Sequence, residues 1–169
     1  MNVMANVPGP TVEIVPGGWT VLTTDPSLLD DESFPTLIAS NEPFSEEFGD
    51  ALVDGKLARA IVPATTMRNL TRSGCVVQVM MPNAGKLVAP DNPNFQPGPI
   101  LLSKGKLETL WEGSPREGLF RFRFLRAIND RYVTIDVVFG TDVPPVKVQS
   151  QAQQLLDSLD IPSDMPVFS

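Results

Sequence analysis

Histidine is absent from this chain of 169 residues. With it go the Ser-His-Asp and Cys-His arrangements, histidine zinc sites and the commonest general base at neutral pH. Carboxylate chemistry remains open, but most hydrolase mechanisms become poor fits. The one cysteine, Cys75, stands in the apolar run CVVQVMM directly after Gly74. That context reads as a buried, inert thiol, since a nucleophile would need an activating base that the sequence does not supply. Asp30-Asp31-Glu32 and Glu46-Glu47 offer hard oxygen ligands, yet neither has the spacing of a Ca²⁺ loop, and both read as solvated acidic surface. Gly17-Gly18, Gly113 and Gly118 match turn chemistry rather than a phosphate-binding loop. Trp19 and Trp111 border strand-like runs and read as packing residues. Asn69-Leu70-Thr71 is a glycosylation sequon that matters only in a chain passing through an ER. No catalytic, cofactor-binding or metal-ligating residue is expected.

Charge carries more information than any motif. Residues 1–54 hold ten acids and no Lys or Arg, residues 55–131 hold twelve bases and five acids, and residues 132–169 hold one base and five acids. The net charge of −7 disfavours nucleic acid, which needs a basic surface to neutralise phosphates. Blocks of opposite sign either lie side by side and compensate or polarise a binding face. Arg121, Arg123, Arg126 and Arg131 are the sharpest concentration of positive charge and are read as lining the outer face of a hairpin, where they meet the acidic third of the chain or an acidic partner.

That hairpin is the strongest structural signal. In residues 120–126 (FRFRFLR) Phe120, Phe122 and Phe124 alternate with Arg121 and Arg123, and residues 132–139 (YVTIDVVF) alternate as well. A two-residue turn at Asn129-Asp130 places Phe124 opposite Ile135, Phe122 opposite Val137 and Phe120 opposite Phe139. It also sets Arg123 across from Asp136, and a one-residue slip would destroy both features. Upstream, residues 11–15, 19–23 and 35–40 read as strands, Asp25-Pro26-Ser27 as the start of one helical turn, and residues 57–62 as strand or helix with strand favoured. Pro63 opens a short helix with Ala64, Met67 and Leu70 on one face, ended by Gly74. Residues 75–81 form a buried strand, 104–111 a further strand, and 113–118 a turn. After Gly140, Thr141 or Asp142 caps a helix whose stripe is Val148, Ala152, Leu155, Leu156 and Leu159, stopped by Pro162. Residues 82–99 contain five prolines and read as a long, loosely structured loop, a natural place for a contact surface.

Length and composition fit one domain spanning 1–169, with a globular core over about 10–163. Apolar content is 42% and charged content 20%, and mean hydropathy is near zero, all globular values. No apolar run approaches the roughly 18 residues of a membrane span. The opening MNVMANVPGPTVEIV lacks the basic and apolar regions of a secretory signal, which leaves the compartment open between cytoplasm and export after leader removal. Consecutive strands with few helices give an α+β class: a mainly antiparallel sheet with a C-terminal amphipathic helix on one face.

The order of Trp19 after VPGG, the late hairpin, and a closing helix ending LLDSLDIP resembles the PsbP/Mog1-like group, and also small exported actinobacterial domains of unknown function. The resemblance covers about residues 10–163 and consists of apolar patterns. It implies an α/β/α sandwich and action by binding other proteins, and it transfers no site residue. The expectation is a non-enzymatic protein-interaction or assembly module, with a protein partner or copies of itself. The alternative is a small-ligand or metal-ion binder using a cleft near loop 82–99.

Overall fold

The computed structural model describes residues 9–28, 35–44, 52–53, 56–57, 61–80, 94–96, 98–110, 116–128 and 131–164. In chain order the strands are β1 (Thr11–Val12), β2 (Thr20–Thr24), β3 (Pro35–Ser40), β4 (Leu52–Val53), β5 (Lys56–Leu57), β6 (Cys75–Met80), β7 (Glu108–Thr109), β8 (Phe120–Ile128), β9 (Arg131–Phe139) and β10 (Leu159–Asp160). The helices are α1 (Ala64–Arg68) and α2 (Val146–Asp157). Among the described residues, eight of the strands form one sheet in the order β4-β5-β2-β3-β6-β9-β8-β7, in which β2 and β5 are the neighbouring strands that run parallel; β1 and β10 form a separate antiparallel pair. The chain is an α+β protein with a mainly antiparallel sheet and a C-terminal helix.

The hairpin has the register that its alternation demands. Phe120 pairs with Phe139, Phe122 with Val137, Arg123 with Asp136 and Phe124 with Ile135, through to Ile128 with Arg131. The two intervening residues, Asn129 and Asp130, lie outside the described residues, as do the acidic clusters at 30–32 and 46–47 and Trp111. Central strand β6 pairs with β3 on one side and β9 on the other, which is why five of its six residues are apolar and Cys75–Val79 are all buried. A bulge between Pro35 and Leu37 interrupts the β3–β6 ladder, and there the Thr36 hydroxyl donates to the Val79 carbonyl at 2.9 Å.

Period-two alternation sends side chains to two separate cores. One face gathers Leu37, Val77, Val79, Phe122, Phe124, Ile135, Val137 and Phe139 beneath Val148, Ala152, Leu155 and Leu156 of α2. Leu22, Ile38, Val76 and Val138 line the other face, covered by Met67 of α1 with Leu70, Leu110 and Leu119. Trp19 belongs to the α2 core, where its indole N–H donates to Gln151 at 3.3 Å, so packing is its role.

Several boundaries differ from the sequence reading. Neither Thr141 nor Asp142 caps α2. Pro145 holds that position, with extended backbone (φ −58°, ψ 139°): Val143 and Pro144 each precede a proline and are driven out of the helical region, which delays the start. The Thr141 hydroxyl instead accepts a local bond from the Val143 N–H at 3.2 Å. Leu159 is not part of the helical stripe. The helix stops at Asp157, Ser158 Oγ takes the Ile14 N–H at 3.0 Å, and Leu159 pairs with Val12 as strand β10. Residues 104–111 are not one strand. Residues Leu102–Lys104 form a 3-10 turn, and Gly105 lies flat against the rings of Phe122 and Phe124, where a Cβ would come within 2.8 Å. Only Glu108–Thr109 reach the sheet edge. The first strand shortens to two residues, and of 57–62 only Leu57 is strand among the described residues.

Candidate functional site

The hairpin arginines divide between the two faces of the sheet. Arg121 and Arg123 share parity with Leu125 and project to the α1 side, where Arg123 faces Asp136 and Asp136 faces Gln78 on β6. Arg126 has the parity of Phe122 and Phe124 and projects to the α2 side. The expectation that all four line one outer face is therefore corrected: register, one residue at a time, separates Arg126 from Arg121 and Arg123. Arg131 pairs with Ile128 at the hairpin end, and its side chain lies outside what is described.

Arg123 and Asp136 make a two-point ion pair, Nε to Oδ1 at 2.8 Å and Nη2 to Oδ2 at 3.0 Å. Asp136 is 7% exposed at its side chain and Arg123 33%, so the pair sits at the border of the core. The hydrogen bonding of Arg123 to the Asp136 carboxylate raises the Arg123 pKa, partly opposed by burial. Burial, and then the neighbouring Arg123 charge, lowers that of Arg121. Arg121 also pairs in register with Glu108 across the β7–β8 ladder. This side of the hairpin is thus an internal charge network, and Arg123 is committed to holding β8 on β9.

Arg126 has different surroundings. It is half-buried and, among the described residues, its side chain has no hydrogen-bond or ion-pair partner. It lines a cleft of about 250 Å³ between the end of β8 (Arg126, Ala127, Ile128) and the α2–β10 junction (Leu156, Leu159, Asp160, Ile161). Sequence reading missed this cleft because Leu159 was assigned to the helix; the available signal was the parity of Arg126 with the phenylalanines. A second cleft of about 240 Å³ lies at the other end of the sheet, among Thr11, Thr23, Asp25 and Lys56. Among the described residues, neither is lined by a residue of 82–99. The described part of that loop is tied down: the Leu125 N–H donates to the Asn94 carbonyl at 3.0 Å, and Gln96 exchanges two hydrogen bonds with Leu101. Residues 82–93 and 97 lie outside the described residues.

Cys75 is wholly buried between β3 and β9, and burial pushes its thiol pKa far up. Native protein is expected to resist a thiol reagent that labels one cysteine after denaturation; labelling at equal rates in both states would contradict this burial. The same shift sets a pH dependence. Above about pH 8.5 the unfolded thiol ionises while the native one stays protonated, so the native state binds more protons and stability falls. Wild type should lose up to about 1.4 kcal/mol per pH unit there relative to Cys75→Ala. Parallel curves for the two proteins in alkaline urea melts would exclude it.

Among the described residues no group of three or more Asp, Glu or Cys is placed to hold a metal, and no helix is long and apolar enough to cross a membrane. Compared with known proteins, the chain matches no protein-family model, no curated protein and no solved structure.

Proposed function

We propose that the protein is a non-enzymatic protein-interaction or assembly module. The observation that carries this reading is Arg126, a half-buried cation beside a cleft whose side chain has no hydrogen-bond or ion-pair partner among the described residues, on a strand whose other described arginines take part in charge interactions. A guanidinium left in this state gains most from a carboxylate supplied from outside. Val143 and Val146 support the same reading, since they stand 74% and 78% exposed around Pro144-Pro145 at the start of α2. Catalysis has little to draw on: the chain has no histidine and its only thiol is sealed in the core. The PsbP/Mog1-like resemblance agrees with this proposal, since that group acts mainly by binding other proteins.

Charge reversal tests it, and the geometry dictates where. Arg126→Glu should weaken partner capture by about tenfold or more, the value of a charge-assisted contact, with an unchanged melting temperature. Arg123→Glu is the wrong probe, because it would press a second carboxylate against Asp136 and unfold the hairpin. Capture by a folded Arg126→Glu variant equal to wild type would remove Arg126 from the interface.

A further inference from the structure

We infer that the cleft beside Arg126 receives an extended segment of a partner polypeptide carrying one carboxylate side chain, added as a strand to the outer edge of β8. This rests on the interaction reading above and names the kind of partner. In a strand, residues two apart point their N–H and C=O groups the same way. The Leu125 N–H points away from β9 and is taken by the Asn94 carbonyl, so the N–H and C=O of Ala127 point to that same outer edge. Beyond Leu125 no described strand pairs there, and Ala127 is exposed. An edge position left unpaired among the described residues, here Ala127, is what strand addition uses, with main-chain bonds giving affinity and alternate side chains giving selectivity.

The cleft supplies the selectivity. Arg126 lies between Leu125 and Ala127 and enters it from the α2 side, so an added strand would place every second side chain against the guanidinium. Leu156, Leu159 and Ile161 form an apolar wall suited to the methylenes of the incoming residue. A volume of about 250 Å³ equals about eight liquid waters, room for one acidic side chain and its backbone. Asp160, which also lines the cleft, repels a second acid. One carboxylate among uncharged residues is therefore what fits, and a polyacidic run is not.

The test uses the full chain, labelled with ¹⁵N, and three probes: the blocked pentapeptide Thr-Val-Glu-Val-Thr, the same peptide with Gln for Glu, and sodium acetate. The Glu peptide should shift the amides of Ala127, Leu159 and Ile161 saturably and slow hydrogen exchange at Ala127. The Gln peptide should bind about tenfold more weakly or worse, and Arg126→Glu should abolish the response while Arg126→Lys keeps part of it. Acetate should perturb the surroundings of Arg126 without protecting Ala127. Equal responses to the Glu and Gln peptides, indifference to Arg126→Glu, or no shift at millimolar peptide would overturn the inference, and full protection by acetate would mean that the cleft takes a free carboxylate and no strand. Failure here is separable from failure of the broader reading: a partner captured equally by wild type and Arg126→Glu would dismiss the cleft and leave an interaction module that binds elsewhere.

Discussion

Asp136→Ala is expected to destabilise the fold by about 2–3 kcal/mol. Removing one member of a buried ion pair typically costs about 3–5 kcal/mol, because the survivor is left charged and desolvated. Here Arg123 retains 33% side-chain exposure, so solvent screens part of the penalty. The loss is also electrostatic in a second way: Arg121 already feels Arg123 as an unfavourable neighbour, and Asp136 is, with Glu108, an anion that both see. Replacing both partners by apolar residues, Arg123→Met with Asp136→Leu, should stay within about 1 kcal/mol of wild type, since no orphaned charge remains. Urea unfolding followed by the fluorescence of Trp19 and Trp111 reads all three proteins. If the double variant is as unstable as the single one, the pair contributes net stability beyond avoiding an orphan. The raised Arg123 pKa keeps its contribution intact below the unfolded value, and the contribution is lost only as pH rises through the folded one, both far into strong alkali, so the Asp136→Ala deficit should not vary between neutral pH and mild alkali.

Gly140→Ala should cost about 2–4 kcal/mol, the range of strongly overpacked sites. A Cβ at Gly140 would run into the Thr71 carbonyl oxygen and come within 3.2 Å of the Leu70 carbonyl oxygen. Both are backbone atoms and have no rotamer through which to yield. The loop that carries them is held as well. Glu42 Oε1 accepts the Thr71 N–H at 2.8 Å and the Thr71 hydroxyl at 2.6 Å. Asn41 binds the Ser73 carbonyl and the Cys75 N–H, each at 2.8 Å. Freeing that loop should relieve the clash, so Glu42→Ala and Gly140→Ala together should cost less than their separate losses added. Gly17→Ala is the control, since nothing lies within 4 Å of its added Cβ. Equal melting temperatures for Gly140→Ala and wild type would show that the Thr71 loop moves freely.

The sequence made the hairpin legible to the level of individual pairs, because one register satisfied three phenylalanines and an ion pair at once. The strand candidate at Pro35–Ser40, bounded by Asn41 and Pro43, is a strand with those ends. What escaped was governed by tertiary contact rather than local pattern. The start of α2 moved because two prolines outweighed the capping preference of Thr141 and Asp142. Its end moved because β1, far away in sequence, captured Leu159. That second shift is also why the candidate site was only half read: the arginines were visible as a cluster, but the wall that sets Arg126 apart is built from β10. The buried thiol, by contrast, followed directly from the apolar run around Cys75. Charge blocks along the chain located the basic segment and could not say which arginine is already engaged, a matter of strand parity and of the Asp136 pair.

One measurement tests the interaction reading most directly: capture from the native source with the tagged full chain and with its Arg126→Glu variant, each at low and high salt, read by quantitative mass spectrometry. The expected result is one stoichiometric partner, another protein or further copies of this chain, lost with the variant and lost at high salt, as a charge-steered contact requires. A partner retained equally under all four conditions would contradict the role of Arg126, and the absence of any stoichiometric partner would contradict the interaction module itself.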